Sequence, residues 1–236
     1  QKTICVYSTD KPNCENDLTV DEFNSLKSFD EFNNLTIKLF DVDTIPTIDI
    51  SMLNSKHISF ISSQSNTIKF VKVEETLPNL QFTSIIFNSD LLTVDFSLID
   101  VFSINQIEFS SNLKIINSPI HLQVDKLKCS CQQLESLSEV SINSELILGG
   151  LISELSESKT INLNSNQLLN IELEDDTFDI LLDDQSILIN KFLFELTEVT
   201  VNFFLKENQH CLIRSSLGSL IPITITASID NTIMFE

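Results

Sequence analysis

The chain has 236 residues, 42 % of them hydrophobic, and a formal net charge of −20 from 34 acidic against 14 basic side chains. The apolar share supplies a large core and excludes intrinsic disorder. The charge repels polyanions, and the densest basic stretch, Lys69 to Lys72, holds only two lysines, so no nucleic-acid partner is expected.

No apolar run approaches the roughly 18 residues of a membrane-spanning helix, so no direct membrane insertion is expected of this segment. Isoleucine, leucine and 17 phenylalanines point to strands. With only three glycines, the chain is poor in the Asn-Gly and Asp-Gly signals of tight hairpins, and it has no glycine-rich nucleotide loop. Asn, Ser and Asp are expected to make the turns, because their side chains bond nearby backbone groups.

In chain order, residues 1–34 read as an N-terminal cap. Cys5 and Cys14 bracket the polar stretch V-Y-S-T-D-K-P-N, short enough to be closed by a disulfide. Thr19-Val20-Asp21-Glu22 matches a capping box, and Val20, Phe23, Leu26 and Phe29 follow at near-helical spacing. This predicts a short capping helix over about 20–30. Asn34-Leu35-Thr36 is an N-glycosylation acceptor.

From 35 to 205, alternating apolar and polar segments recur about every ten residues: I-K-L-F at Ile37, I-S-F-I at Ile58, I-K-F-V at Ile68, L-T-V-D-F at Leu92, I-E-L-E at Ile171 and V-T-V-N-F at Val199. They read as short strands without long helices between them. Over them runs a longer pattern, apolar-x-apolar-x-x-(Asn/Asp/Gln)-x-apolar. It is seen at Ile85–Leu92, Leu127–Leu134, Ile161–Leu168 and Ile180–Ile187, with a decayed copy at Ile107. Most copies lie 19 to 27 residues apart, with a break near 140. Self-similarity of this period predicts a mainly β solenoid of short parallel strands. Residues 206–236 form a C-terminal β segment whose apolar end predicts continuation in the full-length protein; the start at Gln1 predicts a processed or cut form.

Several copies carry a further apolar residue three positions earlier: Phe82, Ile104, Val124 and Leu137. The extended pattern resembles the leucine-rich-repeat consensus over about Phe82–Leu168 and on towards 205, so the chain looks like a divergent leucine-rich-repeat surface or secreted protein. Ile and Phe often replace Leu, and copies before Phe82 lack the Asn position. A right-handed parallel β-helix is the main alternative, and a β-sandwich stands third. The resemblance implies that apolar positions stack into a core ladder, that the Asn or Asp position turns inward to bond the loop backbone, and that the x positions form an outward sheet. Ser59, Glu108, Lys128 and Asn162 are the candidate binding face.

Catalytic and metal signals are sparse. Cys129 and Cys131 are expected in one strand, on one face; with Cys211 they leave an odd thiol. There is no Cys-x-x-Cys pair, and His57, His121 and His210 lie in unrelated segments, so no metal site, cofactor or catalytic residue is assigned. The acidic run Glu172, Glu174, Asp175, Asp176, Asp179, Asp183 and Asp184 is rich in calcium-type oxygens but lacks the spacing of an EF-hand loop; solvated turns are the plainer reading. The expected function is non-catalytic: an extracellular or cell-surface recognition or adhesion module binding a protein or glycan through its solenoid sheet. The alternative is a structural stalk or spacer, with a glycan hydrolase or lyase third.

Overall fold

The structure is a computed structural model, and it describes residues 2–236 except 10, 11, 13, 15, 30–32, 74–79, 81, 164, 165, 217–220 and 229. It is mainly β, with long parallel sheets of short strands. The chain divides into two compact units, 1–124 with 136–139, and 125–135 with 140–236.

The first unit carries β1 (Lys2–Tyr7), β2 (Asp17–Thr19), α1 (Val20–Asn24), β3 (Asn34–Phe40), β4 (Thr47–Asp49), β5 (His57–Ser62), β6 (Asn66–Val71), β7 (Ser84–Phe87), β8 (Leu92–Asp95), β9 (Val101–Phe109) and β10 (Lys114–Ile116). β11 (His121–Ser130) begins in this unit and ends in the second. From β5 onward successive strands alternate between two sheets: β2-β1-β3-β5-β7-β9 in order form one, β10-β8-β6-β4 the other. Every pairing within them is parallel.

Parallel register converts the sequence repeat into straight rows. Leu35, Ile58, Ile85 and Ile107 are cross-strand partners in turn, and so are Ile37, Phe60, Phe87 and Phe109. All eight are buried, because with a period of two along each strand every second side chain faces the core. Phe60, Phe87 and Phe109 stack at 5.1 and 5.4 Å. Phe70 of β6 meets Phe60 and Phe87 edge-on at 6.1 and 6.2 Å, so the inner faces of the two sheets share one aromatic core.

Thr19 caps α1 as expected, its hydroxyl accepting from the Glu22 N–H while the Glu22 carboxylate accepts from the Thr19 N–H. The helix is shorter than its apolar stripe suggests. It stops at Ser25, whose hydroxyl donates back to the Glu22 carbonyl at 2.8 Å. Phe29 still packs on Phe23, 6.3 Å between ring centres, without helical backbone between them. Cys5 and Cys14 are joined as a disulfide.

The second unit carries α2 (Cys131–Ser136) up to Glu135, β12 (Glu139–Gly150) from Val140, β13 (Lys159–Leu163), β14 (Leu168–Leu173), β15 (Thr177–Asp183), β16 (Ser186–Ile189), β17 (Phe192–Leu196), β18 (Thr200–Leu205), β19 (His210–Ser215), β20 (Ile223–Ala227) and β21 (Thr232–Phe235). β12, β14, β18 and β20 pair in parallel, placing Leu146, Leu169, Val201 and Ile223 in one row. A second sheet has the order β13-β17-β16-β15-β19-β21.

Four expectations need correction. First, the pairs β15–β16 and β16–β17 are antiparallel hairpins. Each link leaves two residues, Asp184-Gln185 and Asn190-Lys191, enough only to reverse the chain. Asn190 takes the left-handed conformation at φ 52° that a glycine would otherwise supply. Hence Ile161 and Ile180 share this mixed sheet, on strands separated by that hairpin pair, rather than stacking as successive parallel copies. Second, the Asn/Asp position does not turn inward in the copies at Ile85 and Ile107: Asp90 and Asn112 are exposed and bond each other, the Asn112 N–H donating to Asp90 Oδ1 at 3.2 Å. Asn166 is exposed too, and residues 164–165 of that copy lie outside the described ones. Third, Phe82 is 72 % exposed, although Ile104, Val124 and Leu137 at the corresponding position are buried. Fourth, Cys131 opens α2 instead of continuing the strand of Cys129. Ser130 and Gln133 form a reciprocal cap there: the Ser130 N–H donates to Gln133 Oε1 at 2.8 Å and the Gln133 N–H to Ser130 Oγ at 3.3 Å.

Turn chemistry follows the composition. Of eight described non-glycine residues with positive φ, four are Asn (117, 166, 190, 208) and two are Asp (41, 230), the residues whose short polar side chains tolerate that region.

Candidate recognition surface

Residues that alternate with the buried rows of β3, β5, β7 and β9 lie on the other side of the sheet, where Thr36 and Ser84 are nevertheless buried, at 6 % and 7 % exposure. Two such rows lie side by side. One is Asn34, His57, Ser84 and Gln106; the other is Thr36, Ser59, Ile86 and Glu108. Between them lies a shallow depression of about 280 Å³ lined by Asn34, Leu35, His57, Ile58, Ser59, Ser84 and Ile86.

The polar groups here are held by their neighbours. His57 Nδ1 and Ser84 Oγ are 3.1 Å apart, so one ring nitrogen is committed to the sheet row. The Asn88 amide donates to Ser59 Oγ at 3.1 Å, and the Gln106 amide donates to Glu108 Oε1 at 2.6 Å. Strand backbone positions all of these groups except Asn88, which follows β7 directly, and this fixes their spacing far better than a loop would. A flat array of hydroxyl, amide, imidazole and carboxylate around the aliphatic Ile86 can donate, accept and make apolar contact within one small area.

The structure brings together two of the four candidate face residues. Ser59 and Glu108 share a row, separated by Ile86. Lys128 stands exposed on β11, in the second unit. Asn162 is exposed on β13 of the second unit's mixed sheet, opposite Glu195. It lines a polar groove of about 580 Å³ with Asp183, Asp184, Ser186 and Glu195. Asn34 of the glycosylation acceptor is exposed at the start of β3 and has His57 as its row neighbour, so a sugar attached there rises from the rim of the depression.

His57, Ser84 and Gln106 are absent from the sequence-derived face. Each immediately precedes the first apolar residue of a copy (Ile58, Ile85 and Ile107), and strand alternation alone puts that position on the side of the sheet opposite those residues. What sequence could not supply was which copies pair in register.

The remaining chemistry-bearing residues do not converge. His121 faces Glu139 at 3.6 Å, and His210 is cross-strand from Thr177 and Thr232. Among the described residues, the grouping of metal-type side chains close enough to share an ion is Cys5, Cys14 and Asp17, whose two sulfurs are spent on the disulfide. The acidic run is dispersed by strand alternation. Asp175 is buried and accepts from the Ile152 and Ser153 N–H groups at 2.6 and 2.9 Å. Asp179 pairs with Arg214 at 3.1 Å, and Asp183 accepts from Ser216 Oγ at 2.9 Å. Burial pushes the Cys131 and Cys211 thiols up to about 12 and raises Cys129 as well, which keeps all three protonated at neutral pH and poor as nucleophiles. No described helix is long and apolar enough to cross a membrane. Comparison with known proteins finds no matching family model, no matching curated protein and no matching solved structure.

Proposed function

We propose that the protein is a non-catalytic extracellular recognition or adhesion module that binds a glycan on the outward face of β3, β5, β7 and β9. The observation that carries this reading is that His57, Ser59, Gln106 and Glu108, pre-positioned donors and acceptors on neighbouring strands, surround the aliphatic Ile86, with the buried Ser84 holding His57 from beneath. Sugars present that combination: hydroxyls in a ring of C–H faces. The net charge of −20 favours a neutral or cationic glycan over an acidic one. The Cys5–Cys14 disulfide supports an oxidising compartment, and the Asn34 acceptor agrees with it. The strand path supports a parallel β-helix-like solenoid over a leucine-rich-repeat one, because from β5 to β10 each coil places strands in two sheets instead of a strand and a helix.

The test is a screen of protein produced with Asn34→Gln against neutral and amino-sugar oligosaccharides, followed by calorimetry on the hits. Ser59→Ala and Glu108→Gln should each weaken the best hit about tenfold, the loss of one or two hydrogen bonds to a ligand. Binding that survives both changes refutes the site. Absence of any hit favours a structural stalk, and release of new reducing ends from a bound glycan establishes a hydrolase.

A further inference from the structure

The mixed sheet of the second unit has an outward face of another character. Leu181, Leu188 and Leu193 are successive cross-strand partners on β15, β16 and β17. They point away from the core, since their chain neighbours Ile180, Leu182, Ile187, Ile189, Phe192 and Phe194 are buried. Leu181 is 44 % exposed, and Leu188 and Leu193 are half-buried. Directly opposed outward leucines of this kind touch across a sheet and form a continuous stripe. On a folded surface such a stripe marks a contact site more often than a scattered single leucine does.

Two residues further along the same strands runs a polar row: Asn162, Glu195, Ser186 and Asp183 are cross-strand partners in turn. With Asp184 they line the groove of about 580 Å³. Glu195 and Asp184 make no ion pair among the described residues. Arg214, on β19 of the same sheet, is cross-strand from Leu181, but its guanidinium is engaged by Asp179 at 3.1 Å and Glu236 at 3.2 Å. The face therefore presents an aliphatic stripe flanked on one side by the Glu195 and Asp184 carboxylates.

We propose that this face docks a basic amphipathic segment of a partner protein, with apolar side chains on the leucine stripe and lysine or arginine side chains in the acidic groove. Charge complementarity selects this occupant. An acidic segment is repelled, and a purely apolar one leaves the carboxylates desolvated without a partner. The two rows lie one side-chain repeat apart, about 7 Å along the strands. A peptide with alternating apolar and basic groups bridges that distance without strain. This proposal uses none of the residues of the candidate glycan face and does not depend on it.

The experiment uses the full chain and a synthetic peptide of alternating leucine and lysine, followed by fluorescence anisotropy. Two control peptides replace lysine by glutamate or leucine by serine. The Leu/Lys peptide should bind, and both controls should bind at least about tenfold more weakly. Leu181→Ser should weaken it about tenfold, as should the double change Glu195→Gln with Asp184→Asn. Removing the same two charges elsewhere, with Glu172→Gln and Asp176→Asn, should change affinity less than about twofold. Equal loss from the two double variants refutes the proposal, because binding then reflects net charge alone. Equal binding of the serine-for-leucine peptide, or no effect of Leu181→Ser with its fold intact by circular dichroism, refutes the stripe.

Discussion

Asp175 separates two accounts of the acidic run. As a cation ligand it should tolerate removal at low calcium; as an internal acceptor it should not. The side chain is 6 % exposed and accepts two backbone N–H groups, from Ile152 at 2.6 Å and Ser153 at 2.9 Å. These carry the turn that follows β12. Asp175→Ala leaves both donors without their acceptor. The Ile152 donor is buried and costs about 1–3 kcal/mol unsatisfied, while the Ser153 donor is only part-buried and regains water. Adding the lost charge-assisted character gives about 2–4 kcal/mol in all. For a chain of 236 residues this corresponds to roughly 5–15 °C in melting temperature. The neighbouring Asp176→Ala, at an exposed position, should stay within about 0.5 kcal/mol. Thermal and urea unfolding of both variants, with and without millimolar calcium and with a chelator, measures this. Equal destabilisation by the two changes refutes the structural reasoning. So does a wild-type calcium stabilisation that Asp175→Ala abolishes.

Phe70 is fully buried against Phe60, Phe87, Phe96 and Phe102, so Phe70→Ala should lower unfolding free energy by about 3–5 kcal/mol, whereas Phe82→Ala, at a 72 % exposed site, should change it by less than about 0.5; urea titrations test the contrast. Two carboxyls set an acid limit. Burial opposes the charge of Asp95, but bonds from Ser97 and Asn117 and the charge of Lys69 outweigh it and hold its pKa below the ordinary 3.8. Burial likewise opposes Glu135, and the N–H groups of Glu157 and Ser156 outweigh it, holding its pKa below 4.5. A depressed folded-state pKa gives stability that is present above the ordinary value and lost as pH falls through the folded one. Melting temperature should therefore fall as pH drops below about 4.5, and Glu135→Gln should flatten the upper part of that fall. The three free thiols, Cys129, Cys131 and Cys211, are buried and should resist a thiol reagent at pH 8 until denaturant is added; rapid labelling of any in the native protein contradicts their placement.

Much of the local structure was legible in the residues. The Thr19–Glu22 box placed the start of α1, the spacing of Cys5 and Cys14 their bond, and the shortage of glycine the use of Asn and Asp in left-handed turns. The apolar repeat positions Ile85, Phe87, Leu92, Ile107 and Phe109 are all core. Ser130–Gln133 carried a legible capping signal that the alternation of Cys129 and Cys131 overshadowed.

Pairing was not legible. Periodicity along a strand says which side chains share a face, but not which strand lies alongside or in which direction. The copy at Ile180–Ile187 reads in sequence as one more parallel coil; the two-residue links turn β15, β16 and β17 into hairpins, and that reversal is what lines up Leu181, Leu188 and Leu193. Likewise His57 and Ser84 are 27 residues apart and become neighbours only through parallel register. By itself the sequence determined a β-rich, acidic, cross-linked chain with an alternating core. The surfaces on which function is proposed exist because backbone hydrogen bonds between distant segments set their register, and that is a property of the tertiary fold alone.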